Sequence, residues 1–218
     1  MQYLVIILSF VIIGCSNINA KITHEITHHK NGRIENDITL VNGVRDGKVF
    51  SYFEDGTLSV KGYFKNGERD REWYFYDENT KNISAIENYS RGKLEGKQLY
   101  YYPNGKLKLT GNYKNDIRSG FWEMYDEEGK LDAQNIFLEG EKVVSVALYH
   151  KNGEILCSGI VKNSLREGVW KYFDENGKIL YDVEYREGIR DGRWRAYSNE
   201  GELIVSGYYN NGKILGLD

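Results

Sequence analysis

The chain alternates apolar and polar residues over short stretches, and glycine ends most of them. Two examples are Gly177-KILYDVEYRE-Gly188 and Gly192-RWRAYSNE-Gly201, in which β-branched and aromatic residues fill the space between the glycines. Such stretches are typical of strands joined by tight turns. The 3.6-residue stripe of a helix is missing, and glycines this frequent would cost a helix about 1 kcal/mol each. The sequence therefore predicts antiparallel strands that follow one another along the chain.

The turn positions recur at intervals of 24 or 25 residues, which defines eight repeat units. The first column holds Gly32, Gly56, Thr80, Gly105, Gly129, Gly153, Gly177 and Gly201. The second holds Gly43, Gly67, Gly92, Asp116, Gly140, Ser164, Gly188 and Gly212. The third holds Gly47, Arg71, Gly96, Gly120, Val144, Gly168, Gly192 and Gly216, and a fourth contains Gly62, Gly111, Gly159 and Gly207. Each unit is predicted to contain two strands and two turns, which gives about sixteen strands.

The aromatic residues keep the same period. One column reads Val49, Trp73, Gln98, Trp122, Val146, Trp170 and Trp194, and another reads Tyr52, Tyr76, Tyr101, Tyr125, Tyr149, Phe173 and Tyr197. The two columns are three residues apart, so unless a bulge intervenes they point to opposite faces of a sheet. We therefore expect an all-β fold, an elongated single-layer antiparallel meander of about eight 24-residue hairpins with aromatic ladders along it.

Two places depart from the repeat. Thr80 replaces a turn glycine and the next segment has one extra residue, so we expect a bulge or longer turn to interrupt the sheet there. Val144 and Val146 replace a glycine and a tryptophan, which indicates local drift in the array or an irregularity that binds a partner.

The columns resemble the MORN repeat, and more closely its bacterial variant. The segment Asn176-Gly177-Lys178-Ile179 followed by Tyr185, Gly188, Gly192, Trp194 and Tyr197 carries the pattern, as does the unit that starts at Asn104. The resemblance covers residues 29–218 and implies a non-catalytic scaffold or binding module. It also implies a similarity to the YwqK family, whose members are labelled antitoxins of toxin–antitoxin pairs.

The first residues form a separate segment. Tyr3 to Cys15 reads YLVIILSFVIIGC without a charge, which matches a secretory signal and is too short to span the membrane. Ile12-Ile13-Gly14-Cys15 resembles a bacterial lipobox, which implies cleavage before Cys15 and lipid attachment to its thiol. Plain secretion with a cut after Ala20, or an uncleaved anchor, are the alternatives. The predicted domains are a signal peptide at 1–14, a linker and partial first strand at 15–28, and the repeat array at 29–218.

One motif suggests chemistry. HEITHH contains His24-Glu25-x-x-His28, which on a helix would hold zinc. The motif falls in the first, incomplete unit, where a strand is expected, so we predict no metal site. The turn acids, such as Asp55 and Asp174-Glu175, are expected to form a solvated row, and Cys157 to be a small buried residue without a disulfide partner. We expect no catalytic residues, no cofactor and no enzyme activity.

Charge gives little support for a nucleic-acid partner, since 29 basic residues face 32 acidic ones with a net of −3. The sequence thus predicts an exported scaffold, lipid-anchored in a bacterial cell envelope, that binds a protein or envelope partner through its sheet. The alternative is an antitoxin or immunity protein that neutralises a toxin. The partner-binding residues cannot be read from repeated columns.

Overall fold

The computed structural model describes residues 20–138 and 143–217. The predicted signal peptide and Cys15 lie outside the described residues. Eighteen strands and no helix are present in the described part, which confirms the predicted all-β fold. Within it, no helix has the length and apolar content needed to cross a membrane. The strands are β1 Ile22–His28, β2 Ile34–Val41, β3 Val44–Tyr52, β4 Leu58–Lys65, β5 Glu68–Tyr76, β6 Ile83–Ser90, β7 Lys93–Leu94, β8 Gly96–Tyr101, β9 Leu107–Lys114, β10 Ile117–Tyr125, β11 Leu131–Phe137, β12 Val143–Tyr149, β13 Ile155–Lys162, β14 Leu165–Phe173, β15 Ile179–Arg186, β16 Ile189–Tyr197, β17 Leu203–Asn210 and β18 Lys213–Leu217.

The strands pair in chain order as an antiparallel meander, as predicted. β1 pairs with β2 from Ile22 opposite Val41 to His28 opposite Ile34, and the same hairpin geometry recurs in later strands. The structure has two strands more than the sixteen expected. β1 forms an additional half-hairpin, and Glu95 divides one predicted strand into β7 and β8.

Two kinds of turn alternate along the meander. The tight turn between β2 and β3 consists of Asn42 and Gly43, which have φ of 52° and 83°. Positive φ at both positions is the geometry whose twist matches the flanking strands. The longer turn between β3 and β4 is closed by a 2.8 Å hydrogen bond from Phe53 N to Thr57 O. The glycines of the first two columns, such as Gly43 and Gly56, therefore lie in these turns, where the backbone has positive φ.

The third column forms a bulge in most of the second strands, whereas β12, which has Val144 in this column, pairs there in unbroken register. The register between β2 and β3 shifts between Ile38 and Leu40, opposite Gly47, which has φ of 138°. A β-bulge bends its strand and increases the local twist. Arg71 takes the same place in β5 with φ of 63°, although it is not glycine.

The inserted residue near Thr80 is absorbed by the turn. Asp77 accepts a hydrogen bond from Lys81 N and donates one through its own N–H to Asn82 O, both 2.9 Å, so the turn is one residue longer. The longer turn was predicted correctly, but the prediction that it interrupts the sheet was wrong. β5 and β6 stay paired from Arg71 opposite Tyr89 to Tyr76 opposite Ile83.

The described residues form two compact units. Unit 1 contains residues 20–107 and 113–116, and unit 2 contains residues 108–112, 117–138 and 143–217. In unit 1 the core is built from Ile38, Val49 and Trp73, with Phe64 and Tyr89 packed against them. In unit 2 Cys157, Trp170, Val183 and Tyr185 form the corresponding cluster.

Candidate functional site

The tryptophans lie on glycines of the neighbouring strand. A Cβ at Gly159 in β13 would overlap the indole of Trp170 in β14, so only glycine leaves room for the ring. Trp170 Nε1 then donates a 3.1 Å hydrogen bond to the carbonyl of Ile160. The same arrangement joins Gly62 with Trp73 and Gly111 with Trp122, with bonds of 3.2 and 3.1 Å to the carbonyls of Tyr63 and Asn112. The fourth glycine column therefore accommodates the tryptophan column, a relationship that the sequence analysis missed.

Trp194 is the exception among the four tryptophans. It faces Val183 rather than a glycine, and its ring approaches Gly207 on the other side, where a Cβ would lie 2.9 Å from Nε1. Among the described side chains, Trp194 Nε1 is the buried polar atom without a hydrogen-bond partner. The missing glycine thus leaves this indole without the carbonyl acceptor that the other three have.

Arginine side chains cover the tryptophans. Arg166 Cζ lies 4.4 Å from the centroid of the Trp170 ring, and its Nη1 donates to the hydroxyls of Tyr172 and Tyr185 at 2.8 and 3.2 Å. Arg69 over Trp73 at 4.4 Å and Arg118 over Trp122 at 4.7 Å repeat the contact. These arginines form a column of the repeat, four residues before the tryptophan column, which the sequence analysis missed. Its members are Arg45, Arg69, Arg118, Arg166 and Arg190.

In each unit, we call the side of the sheet that carries the tryptophans the tryptophan face, with Trp73 in unit 1 and Trp122, Trp170 and Trp194 in unit 2. Its guanidinium groups are engaged with the aromatic rings of the protein itself, and cation–π contacts of this kind are worth about 0.5–2 kcal/mol. Trp73, Trp122 and Trp170 are almost completely buried by their neighbours on this face. The tryptophan face therefore serves mainly to hold the sheet together.

The opposite side carries the tyrosine column and is called the tyrosine face. Tyr125 donates a 2.8 Å hydrogen bond to Glu123 Oε2, two residues earlier on the same side of β10. Tyr197 donates at 2.9 Å to Asp182, which is buried and also pairs with Arg195 at 3.0 Å. The predicted separation of the tryptophan and tyrosine columns onto opposite faces is confirmed at these residues.

An apolar strip crosses the tyrosine face of unit 2. Phe121 lies opposite Ile136, and Ser145 lies opposite both Ile136 and Ile160 in the next strands. Phe121, Ile160 and Val169 are 56%, 45% and 46% exposed. We define Phe121, Ile136, Ile160 and Val169 as the apolar strip. Ser145 separates Ile136 from Ile160, so the strip is a set of apolar side chains on one face and not an unbroken patch. Groups of exposed apolar residues are typical of interaction sites, whereas single ones need no explanation.

Residues 24–28 of the HEITHH segment lie in strand β1 and not in a helix. His24 Nδ1 lies 2.5 Å from Asp37 Oδ1 of β2, while Glu25 pairs with Arg45 at 2.9 Å. In a strand, residues four apart are separated by about 13 Å, which is too far for His24 and His28 to share one metal ion. Among the described residues, no group of three His, Cys, Asp or Glu side chains could hold a metal.

The remaining candidate residues, Cys157 and the turn acids, have structural roles. Cys157 is buried and is a free thiol, and burial raises its pKa. Asp174 accepts hydrogen bonds from the backbone N–H groups of Lys178 and Asn176, and the bond from Lys178 contributes most to lowering its pKa. The turn acid therefore closes its own turn, and the thiol fills a space in the core.

Comparison with known proteins identifies the repeat. Residues 45–66, 94–115 and 166–187 match the family model described as MORN repeat variant. We call these three matched segments the MORN-variant segments. The MORN-variant segments begin in the arginine column or its equivalent. Each runs along one strand, through a long turn and along the next strand, and ends on the first residue of the following tight turn.

No curated protein is significantly similar to the chain. Among solved structures, a chain of the Photorhabdus luminescens Tc holotoxin pore is similar at 12% identity, with a TM-score of 0.24. The alignment covers 88% of this chain and 12% of the holotoxin chain, so this protein spans only a small part of that relative. A TM-score this low supports no inference about fold or function.

Proposed function

We propose that this protein is a non-enzymatic binding scaffold, and that its partner is a protein that docks on the apolar strip of unit 2. The exposure of the apolar side chains of Phe121, Ile160 and Val169 on one face of unit 2 carries the proposal. The MORN-variant repeats support the scaffold role, because they build a sheet from side chains that are engaged with one another. A surface for a partner must then come from residues that the repeat does not need.

The strip has this property. The tryptophan face gains its packing from residues that recur along the repeats. In unit 1, by contrast, the position of Phe121 is occupied by Lys48, Glu72 and Lys97, and that of Ile160 by Thr39, Tyr63 and Asn88. Burying apolar surface contributes about 25 cal/mol per Å², so an exposed strip of this kind gains free energy only when a partner covers it. Interfaces concentrate such apolar residues at their centre.

Photo-crosslinking from a single position tests the proposal. A benzoylphenylalanine at Phe121 should crosslink the partner in the source cells. The matched control is Met124, which lies on the same strand, is 40% exposed and points to the tryptophan face. We expect a crosslinked protein from position 121 that disappears when Ile160 is changed to serine, and none from position 124. Equal crosslinking from both positions would exclude the strip as the docking surface.

The identity of the crosslinked protein separates the two roles. An envelope protein would support an exported scaffold. A toxin that is lethal when this protein is deleted would instead support an antitoxin or immunity role.

We also propose that the protein is exported and anchored in the bacterial cell envelope by lipid at Cys15. The uncharged segment that ends in Ile12-Ile13-Gly14-Cys15 supports this. Labelled fatty acid should be incorporated into the parent protein but not into the Cys15→Ala variant, and the variant should leave the membrane fraction. Membrane retention of an unlabelled Cys15→Ala variant would point to an uncleaved anchor.

A further inference from the structure

A basic groove lies on the tyrosine face of unit 1. Its volume is about 540 Å³, and strands β3, β4 and β5 form its floor and walls. The side chains that line it are Lys48, Phe50, Lys61, Tyr63, Arg71, Glu72 and Tyr74. Pairing across the strands sets Lys48 opposite Tyr63, and it sets Lys61 between Phe50 and Tyr74. We call this site the basic groove.

The cations of the groove are held against aromatic rings. Arg71 Cζ lies 4.0 Å from the centroid of the Tyr63 ring, and Lys61 Nζ lies 4.1 Å from that of Tyr74. Among residues 20–138 and 143–217, neither Lys48 nor Lys61 forms an ion pair. Arg71 has only a long contact of 3.7 Å from its Nε to Asp70, and 65% of its side chain is exposed. Most of the positive charge is thus available to a ligand.

The groove contains less negative charge than positive charge. Glu72 is the one carboxylate among the lining residues, and its Oε2 accepts a 2.6 Å hydrogen bond from the hydroxyl of Tyr74. Three cations therefore face one carboxylate, although the whole chain has a net charge of −3. A local field of this sign attracts an anionic partner.

Arg71 occupies a backbone position that other units give to glycine. Its φ is 63°, and the equivalent bulge residues with positive φ are Gly47, Gly96, Gly120, Gly168 and Gly192. The left-handed region is unfavourable for a residue with a Cβ. Strained residues of this kind concentrate at functional sites, where the position of the side chain compensates for the strain. Here the bulge directs the guanidinium over Tyr63 at the groove.

We propose that the basic groove binds an acidic, extended segment of a partner protein. The cations of Arg71, Lys61 and Lys48 would receive its carboxylates, and the apolar surface of Phe50 and the tyrosines would contact its side chains. A glycan is less well matched, because Arg71 and Lys61 already cover a face of the Tyr63 and Tyr74 rings on which a sugar would stack. This inference rests on the proposed binding role but uses a surface separate from the apolar strip.

Binding of a defined probe to the purified full chain tests the groove. A fluorescent peptide of alternating glutamate and tyrosine should bind, and the matched peptide of alternating lysine and tyrosine should not. Added salt should weaken the complex, because it screens exposed charges. Arg71→Gly and Lys61→Gln should each weaken binding at least about fivefold, as expected when a charged contact to a ligand is removed. Lys171→Gln removes the same charge from the tyrosine face of unit 2 and should leave affinity unchanged.

Arg71→Gly also separates loss of binding from loss of fold, since glycine is the residue that the bulge accepts elsewhere. Its unfolding transition should remain close to that of the parent protein. Unchanged peptide affinity in both groove variants would overturn the proposal, and tighter binding of polygalacturonate than of the peptide would assign the groove to an anionic glycan. Crosslinking from Phe121 would be untouched by either result, so the proposed scaffold function is tested separately.

Discussion

The indole of Trp170 covers Gly159 of the preceding strand and donates a hydrogen bond to the next carbonyl, that of Ile160. The two residues depend on each other, because any side chain at 159 would displace the ring. The same dependence is visible within the chain itself. Where the tryptophan column has Val49, the position of the glycine is occupied by Ile38. The glycine is therefore found where the tryptophan keeps its bond to the next carbonyl, and at Trp194, where Val183 takes the place of the glycine, that bond is missing.

Gly159→Ala should destabilise the protein by about 2–4 kcal/mol. Overpacking of a core costs about 1–3 kcal/mol, and loss of the Trp170 hydrogen bond adds about 1 kcal/mol. Chemical denaturation followed by tryptophan fluorescence measures the change. Ser158→Ala, at the neighbouring position of the same strand, is the control and should cost less than about 1 kcal/mol.

The double variant Gly159→Ala, Trp170→Val tests the dependence directly. Its loss in free energy of unfolding should be smaller than the sum of the losses of the two single variants, because the smaller side chain no longer collides with the added methyl group. Strict additivity of the two changes would show that the glycine is needed for another reason.

Trp170→Phe should cost more than Trp194→Phe, by about 1–2 kcal/mol. Phenylalanine removes a hydrogen bond from the first site, whereas at the second it removes a buried N–H that has no acceptor among the described residues. The two tryptophans occupy the same column, so they form a matched pair. Equilibrium unfolding of both variants provides the comparison, and equal losses would indicate that Trp194 Nε1 finds a partner in solution.

The repeat columns allowed the strands and turns to be predicted, because positive φ and alternating burial leave local signals in a sequence. Gly43 and Gly56 are in turns, and the Tyr125 side chain is opposite the tryptophan face. The role of Gly159 was not predicted, since it depends on which column of one strand lies across from which column of the next. That information is in the register, which the bulge at Gly168 changes.

The surfaces were harder to predict than the fold. Periodic residues such as Arg166 are engaged with the sheet, so a binding site has to be sought where the period fails. Arg71 and Phe121 are such positions, but in sequence they cannot be distinguished from neutral drift, as at Val146. Only the structure shows that Arg71 has positive φ and lies over Tyr63, and that Phe121 is exposed.

Unit 1 should lose stability at alkaline pH. Burial, and next the carboxylate of Glu87, raise the pKa of Tyr89 to about 12, and burial likewise raises the pKa of Tyr100, which also bonds to Glu87. A raised pKa means that the neutral tyrosine is favoured in the folded state. Its contribution is fully present below about pH 10, the pKa of an unfolded tyrosine, and is lost as the pH rises towards 12.

Ultraviolet absorbance of tyrosinate follows this titration. Glu87→Gln removes the negative charge beside both hydroxyls and should move the late part of the titration to lower pH. A titration curve that is unchanged in Glu87→Gln would mean that burial alone raises these pKa values.

Zinc should not stabilise the protein through HEITHH. His24 is engaged with Asp37, Glu25 is paired with Arg45, and the strand separates His24 from His28. The melting temperature should therefore be the same with and without equimolar zinc, in the parent protein and in His24→Ala alike. A rise with zinc that His24→Ala abolishes would show that β1 rearranges to form a site.

Arg71→Gly should change the free energy of unfolding by less than about 1 kcal/mol. An L-residue in the left-handed region costs roughly 1–2 kcal/mol, which the glycine relieves. Against this, the variant loses a cation–π contact with Tyr63 worth about 0.5–1 kcal/mol at an exposed site, and glycine adds about 0.5–1 kcal/mol of chain entropy to lose on folding.

The matched variant is Gly120→Arg, which places the same side chain in the equivalent bulge of unit 2, where φ is also 63°. In that unit Asn112 stands where Tyr63 stands in unit 1, so no ring holds the guanidinium and the strain is offset only by the smaller chain entropy of the unfolded variant. Gly120→Arg should therefore destabilise the protein, by up to about 1.5 kcal/mol. Equal and opposite changes in the two variants, measured by denaturant unfolding, would instead show that Tyr63 contributes nothing to holding the guanidinium.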